Sequence, residues 1–446
     1  MLTIHGYQIP KDSRELALKK ELTVRPFSFV NPKSGPKYGV YHEDSKYLYL
    51  PKHFGIDRFG PVGTLRDVAK TPDSNWEFTG TLRPVQLPVV NSFLLPEPHD
   101  GIISLHTGGG KTVCALYIAS RLRVPVLVVV HNSFLRDQWV DRVKAFLPNA
   151  RIGRVQADVC DVENKDVVIV MLQTLSMKEL NVDVFRAIGL VIVDECHHIA
   201  SEVFVQALPK VTSRYMLGLS ATPDRKDRLM YAIHWFLGPL LYKSDTGDSV
   251  DTAVSVEVYE YQNDDPEFNE IVTCKSGPSE GMVSVPIMVN KLTACEDRTK
   301  WLCRILEDIL EGGRQILVLS DRVQHCQDIL AGLSDEVRET ACILGTAVKA
   351  DMRAEYCQTK AVLIATYSMC KEGFDVPTLN TLIMATPRPD IDQVVGRILR
   401  VEKTGRAVHP LIVDIVDPQF RRQFGVRNSL YRKRQYRVTK MALQPA

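Results

Sequence analysis

The sequence predicts an α/β protein with two tandem, doubly wound parallel-sheet lobes and a small N-terminal β-rich accessory domain. Two observations predict this fold. From Leu82 onward, short apolar runs alternate with helical stretches, a pattern typical of buried parallel strands joined by helices. A polar stretch that contains several prolines and glycines, residues 246–286, divides this alternation into two series. A chain of 446 residues is long enough for two large domains and a smaller one.

The N-terminal residues 1–80 differ in pattern from the rest and are assigned to the accessory domain. Polar residues His42–Lys46 lie between Tyr38–Tyr41 and Tyr47–Leu50, two flanks rich in aromatic and β-branched side chains. This pattern predicts a β-hairpin with a polar turn.

The two lobes are predicted from their strands and helices. Residues 81–243 form the first lobe, with strands Ile102–Leu105, Val126–Val130, Val167–Met171, Leu190–Val193 and Tyr215–Leu219 and helices Lys111–Arg123 and Ser133–Phe146. Residues 244–290 are predicted to be a linker or insertion. Residues 291–420 form the second lobe, with strands Ile316–Leu319, Ala341–Leu344, Val362–Ala365, Thr381–Met384 and Leu411–Asp414 and helices Arg298–Leu310 and Val323–Ala331.

Composition limits the class of protein. The formal net charge is only +2, so a nucleic-acid surface requires local segregation of charge. The tail, residues 421–446, is basic and contains aromatic residues, which suits contact with phosphates and bases. A solvated C-terminal helix is the equally weighted alternative for this tail.

The cysteine pattern and the hydropathy favour a soluble, intracellular protein. The ten cysteines include no C-x-x-C pair, and the polar start Met1–Lys20 does not resemble a secretory signal. No apolar run approaches the roughly 20 residues that span a bilayer, so we expect no membrane association. The pattern does not distinguish the cytoplasm, the nucleus and a virus-associated setting, and it does not indicate whether the protein has protein partners.

A glycine-rich segment predicts a phosphate-binding loop. Backbone amides of Gly108, Gly109 and Gly110 can converge on phosphate oxygens at the start of a helix, where the helix dipole favours an anion. Lys111 adds a positive charge and Thr112 adds a hydroxyl that can bind magnesium. The first glycine of the full phosphate-loop pattern is replaced by Leu105, but a strand precedes the segment and a helix follows it.

An acidic pair follows the predicted strand Leu190–Val193. Asp194 and Glu195 therefore lie at the carboxyl end of a strand, where open α/β sheets place their ligands. Asp194 is expected to hold Mg²⁺ through water, and Glu195 to orient and deprotonate an attacking water. The alternative is an ordinary solvated acidic pair at a strand end.

Two arginines near the end of the second lobe are candidates for contact with the transferred phosphoryl group. Arg397 and Arg400 are three residues apart on a predicted helix and so share one face. Basic groups that reach the transferred phosphoryl group are worth about 10³–10⁵ in rate. We expect these arginines to approach the nucleotide when the second lobe closes over it.

With these segments in order along the chain, the sequence resembles the superfamily 2 helicases of the DExH type. The order of motifs matches that family over both lobes. In the first lobe, the adenine-recognising motif is Leu82–Gln86, motif I is His106–Thr112, motif Ia is Val126–Trp139, motif II is Asp194–His197 and motif III is Ser220–Thr222. In the second lobe, motif IV is Ile316–Arg322, motif V is Ala365–Pro377 and motif VI is Gln393–Arg400. Arg83-Pro84-x-Gln86 and the loop preceding Thr112 look most like the XPB/UvsW-type branch, which includes helicases of large DNA viruses and phages.

The resemblance implies a role for each matching residue and implies ATP and Mg²⁺ as cofactors. Nucleotide binding falls to Arg83, Gln86, Thr107, Gly108, Gly109, Gly110, Lys111, Thr112, Gly373 and Asp375, with Gln86 at the adenine and Gly373 and Asp375 near the ribose. Magnesium falls to Thr112 and Asp194, and catalysis to Glu195, Arg397, Arg400, Gln393 and His197. Ser220 and Thr222 are expected to couple the γ-phosphate to motion, and Gln173, Thr174 and Thr366 to contact the nucleic-acid backbone.

Taken together, these expectations describe an ATP-dependent DNA helicase or duplex translocase with a RecA-like fold in each lobe. The first alternative is an RNA helicase or transcript-release factor, because DExH motifs occur in enzymes of both kinds. The second is a clamp that closes on nucleic acid without hydrolysing ATP. The segment Asp224–Asp227 does not reproduce the Arg-Glu-Asp element associated with duplex opening in XPB-type proteins.

Overall fold

The computed structural model consists of two compact units, residues 1–244 and 245–446. It describes residues 1–25, 37–61, 76–106, 108–198, 206–221, 229–244, 251–274, 280–281, 283–310, 312–345, 348, 350–371, 376, 378–399, 401 and 405–441. No helix in this described part is long and apolar enough to cross a membrane.

Small antiparallel sheets open the first unit. The strands are β1 (Leu2–Thr3), β2 (Gly6–Pro10), β3 (Thr23–Val24), β4 (Tyr38–Gly39), β5 (His42–Glu43) and β6 (Tyr47–Leu50), and the helices are α1 (Glu15–Glu21) and α2 (Lys52–Phe59). Four strands form one sheet in the order β1-β2-β6-β5, and β3 pairs with β4. The predicted hairpin is present, but its first strand lies at His42–Glu43 rather than at Tyr38–Tyr41, because Tyr38–Gly39 pairs with Thr23–Val24 instead.

The main sheet of the first unit is almost entirely parallel. Its strands are β7 (Gly101–Ser104), β8 (Val126–Val130), β9 (Ile152–Gln156), β10 (Val159–Asp161), β11 (Val167–Met171), β12 (Leu190–Val193), β13 (Tyr215–Ser220) and β14 (Leu240–Lys243). Their order is β10-β9-β11-β8-β12-β13-β7-β14, and β10 alone pairs antiparallel with its neighbour. The accompanying helices are α3 (Leu87–Leu94), α4 (Lys111–Leu122), α5 (Ser133–Phe146), α6 (Leu172–Met177) and α7 (Met230–Leu237).

The strand β8 shows why this sheet is buried on both faces. Val126, Val128 and Val130 belong to one hydrophobic core, whereas Leu127 and Val129 belong to the core on the other face. A strand covered on both faces has a continuous apolar sequence rather than an alternating one. Each such side chain contributes about 1.5–3 kcal/mol on burial. The predicted strands at the centre of the sheet are therefore confirmed.

The second unit contains a fully parallel sheet. Its strands are β15 (Ser255–Glu260), β16 (Ile316–Ser320), β17 (Ala341–Leu344), β18 (Val362–Thr366), β19 (Thr381–Met384), β20 (Leu411–Val416) and β21 (Arg437–Lys440), in the order β17-β18-β16-β19-β20-β15-β21. The helices are α8 (Pro266–Asn269), α9 (Val285–Ala294), α10 (Glu296–Leu310), α11 (Val323–Gly332), α12 (Asp335–Glu339), α13 (Ala350–Thr359), α14 (Tyr367–Lys371), α15 (Asp392–Val395) and α16 (Arg421–Lys433).

Two strands of this second sheet were not predicted from the sequence. The strand β15 lies within the segment 244–290 and pairs with β20 along its whole length. The strand β21 lies within the tail and pairs with the other edge of β15. Both contain charged residues, which concealed their strand character in the sequence, and both are held by backbone pairing with their neighbours.

Candidate nucleotide site

Three adjacent strands of the first unit place the candidate site at one edge of the sheet. The strands β12, β13 and β7 are neighbours and run parallel, so their carboxyl ends meet. The acidic pair follows β12, Ser220 ends β13, and the glycine-rich loop follows β7. A backbone hydrogen bond of 3.0 Å from the Leu105 N–H to the Ser220 carbonyl joins the last two.

The glycine-rich loop requires left-handed backbone at two positions. Gly108 has φ of 88° and Gly110 has φ of 83°, values that side chains with a Cβ rarely adopt. Gly110 immediately precedes helix α4, which begins at Lys111. A Cβ on Gly110 would lie 2.2 Å from Nε2 of Gln86. The loop therefore depends on glycine for both its conformation and its close contact with Gln86.

The predicted adenine-binding residues support this loop directly. The Gln86 amide donates to the Gly109 carbonyl at 3.2 Å, and the Arg83 guanidinium donates to the Gly108 carbonyl at 3.2 Å. The side chain of Gln86 also accepts from the Arg83 backbone N–H at 2.9 Å. The side chains of Gln86 and Arg83 thus hold the loop by hydrogen bonds to two of its carbonyls.

The structure brings the predicted catalytic residues of the first unit together. The Lys111 ammonium donates to Oε1 of Glu195 at 3.0 Å. The other carboxylate oxygen of Glu195 lies 3.4 Å from Nδ1 of His197, and the same ring nitrogen lies 2.9 Å from Oγ of Ser220. A continuous chain of contacts therefore links the phosphate-loop lysine to the end of β13.

Asp194 is held by groups that the sequence did not reveal. The Trp139 indole donates to one carboxylate oxygen at 2.9 Å, and the Glu195 backbone N–H donates to the other at 2.9 Å. Trp139 is buried in the core, and its indole also orients this carboxylate. No sequence signal distinguishes such a tryptophan, because the donor depends on how α5 lies against β12.

The backbone and charges around Asp194 and Glu195 are unusual for a structural acidic pair. Glu195 has φ of 48°, a left-handed conformation that costs free energy and is concentrated at functional sites. Burial, and then the adjacent Glu195 carboxylate, raise the pKa of Asp194, whereas Lys111 lowers it. This crowding of negative charge favours a bound cation. The oxygen ligands available, the Thr112 hydroxyl and the Asp194 carboxylate, are of the kind that magnesium prefers.

The predicted nucleic-acid contacts of the first unit lie on a separate strand end. Gln173 and Thr174 belong to α6, which follows β11. The Gln173 amide donates to the His131 carbonyl at 2.8 Å, and the neighbouring Asn132 caps α5 by accepting from the Leu135 N–H. Thr174 is buried, so its side chain offers little surface to a ligand in this conformation.

In the second unit, the structure describes Thr366, Gln393 and Arg397. Thr366 ends β18, and its hydroxyl lies 3.0 Å from that of Ser368. Gln393 lies on α15, which ends at Val395, so the predicted helix does not extend to Arg397. The chain instead continues in tight turns, with the Arg397 N–H donating to the Val394 carbonyl at 3.0 Å. The prediction of a helix was therefore wrong at Arg397, and the prediction that Arg397 and Arg400 share one face stays a prediction because Arg400 lies outside the described residues.

Some predicted site residues lie outside the described residues: Thr107, Thr222, Gly373, Asp375 and Arg400. Their roles stay predictions.

Known proteins resemble the chain in sequence and in fold. Residues 79–225 match the family described as the res subunit of type III restriction enzymes. A protein of Acanthamoeba polyphaga mimivirus, named as an ATP-dependent RNA helicase, is 30% identical and is aligned over 98% of this chain and 86% of its own length. The chain belongs to the superfamily 2 helicases. This helicase is also 27% identical to a helicase of Escherichia phage T5, over 92% of each chain.

The solved structures support the fold of this helicase. Saccharomyces cerevisiae Dbp5, bound to RNA and ADP BeF3, matches with a TM-score of 0.56 and 14% identity, over 86% of this chain and 95% of that one. At that identity the likeness shows the fold alone, which consists of RecA-like lobes as predicted. The relatives in large DNA viruses and a phage confirm the family resemblance that the motifs predicted. The helicase is therefore a nucleic-acid-dependent ATPase.

Proposed function

We propose that this helicase is a DNA helicase or duplex translocase that uses ATP hydrolysis to move on, or to unwind, duplex DNA. The observation that carries the hydrolysis half of this proposal is the contact chain Lys111–Glu195–His197–Ser220. It connects Lys111, the proposed phosphate-binding residue, and Glu195, the proposed base, to Ser220 at the end of β13. A change at the phosphate can thereby reach β13.

The residues of the first unit have separate tasks in the proposed reaction. Lys111 and the loop amides bind the phosphates, and Gln86 binds the adenine. When the γ-phosphate is bound, Lys111 has a second negative partner, and Glu195 is then available to orient and deprotonate a water. Thr112 and Asp194 would hold Mg²⁺, which neutralises the charge on the phosphates.

The second unit is proposed to supply positive charge and nucleotide contacts. Arg397 and Arg400 stabilise the negative charge that develops on the transferred phosphoryl group, and Gln393 orients that group. Gly373 and Asp375 contact the ribose. Ser220 and Thr222 couple the nucleotide state to motion, and Gln173, Thr174 and Thr366 contact the nucleic-acid backbone.

Two substitutions test the hydrolysis chemistry. Lys111→Ala removes the phosphate charge and Glu195→Gln removes the base, so each should lower nucleic-acid-stimulated kcat by at least about 100-fold. Lys144→Ala and Glu163→Gln remove the same charges from exposed positions of the first unit and serve as matched controls. Substantial turnover by Lys111→Ala or Glu195→Gln would remove this mechanism.

The nucleic-acid preference is tested by stimulation of the ATPase. Duplex DNA, single-stranded DNA and RNA of equal length are compared at matched salt, because phosphate contacts make affinity salt-dependent. We expect duplex DNA to give the largest kcat. The name of the mimivirus relative favours RNA as the second candidate. Stimulation by RNA alone would establish that candidate and remove DNA.

A further inference from the structure

The segment that carries Gln393 and Arg397 is attached to the C-terminal part of the chain. Asp392, at the start of α15, forms an ion pair with Arg434, which directly follows α16. The side chain of Arg434 is only 10% exposed, whereas that of Asp392 is 41% exposed. Arg434 is thus a largely buried cation whose carboxylate partner lies next to a predicted catalytic residue.

Arg434 is itself held in place from several directions. Its guanidinium donates to Oη of Tyr436 at 3.3 Å, and its backbone N–H donates to the Leu430 carbonyl at 3.0 Å. Its carbonyl accepts from the Asp251 N–H at 3.3 Å. The Asp251 contact ties this point to the beginning of the second unit. These bonds leave the guanidinium little freedom to turn away from Asp392.

The far side of the same segment is attached to Asp251. The Arg406 guanidinium donates to the Asp251 carboxylate at 2.5 Å, and its Nε donates to the Val401 carbonyl at 3.0 Å. The side chains of Arg406 and Asp251 are 7% and 5% exposed. Asp251 therefore contacts Arg434 through its backbone N–H, and its carboxylate holds Val401 by way of Arg406.

We propose that Arg434 and Asp251 are positioning residues for ATP hydrolysis. Arg434 fixes Asp392, and Asp251 fixes Val401 through Arg406, so that the two contacts together orient Gln393 and Arg397. The apolar side chains of Ile391, Val395 and Ile398 anchor this segment in the core, but apolar packing alone does not define the direction of a guanidinium. The inference rests on the proposed role of Arg397. It assigns the end of the basic tail to hydrolysis rather than to contact with nucleic acid.

The size of the expected effect follows from the geometry that catalysis requires. A displacement of about 1 Å at a reacting group can cost about 100-fold in rate. Loss of the Asp392–Arg434 pair should cost less stability than loss of a fully buried pair, because Asp392 is partly exposed to solvent and Arg434 keeps its hydrogen bond to Tyr436. The loss of turnover should therefore exceed what the loss of stability explains.

The first test compares turnover and binding in single variants. Asp392→Asn and Arg434→Met should lower kcat at saturating nucleic acid by about 10-fold or more, with KM for ATP and nucleic-acid affinity changed by less than about 3-fold. Lys433→Ala removes a positive charge from an exposed position at the end of α16, next to Arg434 in the sequence, and should keep full kcat. A loss of nucleic-acid affinity with kcat unchanged, or kcat unchanged in Asp392→Asn, would overturn the proposal.

A double-mutant cycle shows whether Arg434 acts through Arg397. If it does, the variant Arg397→Lys with Arg434→Met should lose no more kcat than the worse single variant, because the second change then has nothing left to misplace. Multiplicative losses would overturn the positioning role and leave the role of Arg397 intact. If Arg397→Lys and Arg397→Ala, each tested as a single variant, both keep full activity, the proposed role of Arg397 itself is refuted.

Two further measurements separate positioning from general loss of structure. The double variant with exchanged charges, Asp392→Arg with Arg434→Asp, should have a higher kcat than either of the two single variants. Melting temperatures are recorded for every variant. If Arg434→Met does not fold, Asp392→Asn decides the question, because the Asp392 side chain is partly exposed and tolerates substitution. If a lower melting temperature of Asp392→Asn fully explains its loss of activity, that result counts against the proposal.

Discussion

At the scale of single residues, the phosphate loop depends on the absence of a Cβ at Gly110. The residue has left-handed backbone and lies against the Gln86 amide, which in turn contacts the Gly109 carbonyl. Backbone strain and steric contact therefore coincide at one position. The adenine motif and the phosphate loop are structurally dependent on each other for this reason.

We predict that Gly110→Ala weakens ATP binding by at least 10-fold. The left-handed conformation costs a residue with a Cβ about 1–2 kcal/mol, and contact with Gln86 adds to this cost. Binding of a fluorescent ATP analogue, titrated at equilibrium, measures the loss. Gly60→Ala is the matched control, because Gly60 also has a positive φ of 86° but a Cβ there would meet nothing within 4 Å. Equal affinities of the wild type and Gly110→Ala would contradict this account.

A second residue-scale prediction concerns His325 and acid pH. Burial, and then the Arg298 guanidinium, lower the pKa of His325 to about 3. Its Nδ1 lies 3.0 Å from Oγ of Ser320, at the end of β16. The unfolded chain has the higher pKa, about 6.5, and so binds more protons than the folded chain below that pH. This contribution to stability is complete above pH 6.5 and is lost as the pH falls from about 6.5 toward 3.

We therefore expect that, as the pH is lowered below about 6.5, this one histidine lowers the free energy of unfolding of the second unit by up to about 1.4 kcal/mol for each pH unit. Urea unfolding between pH 7 and pH 5 measures the slope. His325→Gln should reduce the slope, and His409→Gln, at an exposed histidine of the same unit, should leave it unchanged. Identical slopes for wild type and His325→Gln would refute the assignment.

At the scale of elements, a buried ion pair joins α10 to the end of β20. The Arg298 guanidinium donates to both carboxylate oxygens of Asp417, at 2.6 and 2.8 Å, and to the Ala385 carbonyl at 3.0 Å. Both side chains of the pair are fully buried. The pair fixes one helix against the sheet at a point where loss of either partner leaves a buried charge.

Asp417→Asn should destabilise the second unit by about 3–5 kcal/mol, because the guanidinium remains buried without a compensating charge. Asp335→Asn breaks an exposed pair with Arg338 and should cost about 0–1 kcal/mol. Chemical denaturation of both variants gives the comparison. A similar, small loss in the two variants would show that the buried pair does not have this structural role.

At the scale of the whole molecule, the N-terminal sheet and the main sheet of the first unit share one hydrophobic core. Leu48, Leu50 and Phe54 belong to the same buried cluster as Leu127 and Val129. Phe54 also packs edge to face against Trp235, with ring centroids 5.2 Å apart. The Lys52 ammonium pairs with Asp100 at 2.6 Å, and both side chains are buried. The assignment of residues 1–80 to a separate domain stays a prediction.

We predict that deletion of residues 1–60 makes the first unit aggregate, because apolar surface of its core becomes exposed. Size-exclusion chromatography and thermal melting of the truncated chain measure this. Deletion of residues 442–446, at the opposite end of the chain, is the control. A monomeric truncated protein with an unchanged melting temperature would show that the N-terminal sheet contributes nothing to the unit.

The pattern of the sequence was most informative where burial is complete. The strands Val126–Val130, Val167–Met171 and Leu190–Val193 were predicted with their observed limits, because both faces of these strands are covered. The strands β15 and β21 were missed, since their charged side chains mask the pattern. Arg434 was counted among the basic residues of the tail, and nothing in the sequence indicates that its charge is paired with Asp392.

By itself, the sequence determined the family, the two parallel sheets and the phosphate and carboxylate motifs, because local spacing and apolar patterning specify these features. Only the tertiary structure decided which groups meet. Trp139 binds Asp194, Gln86 supports the glycine loop, Arg434 pairs with Asp392, and Arg406 pairs with Asp251. These contacts join residues far apart in the chain, so they depend on how elements pack rather than on any local pattern.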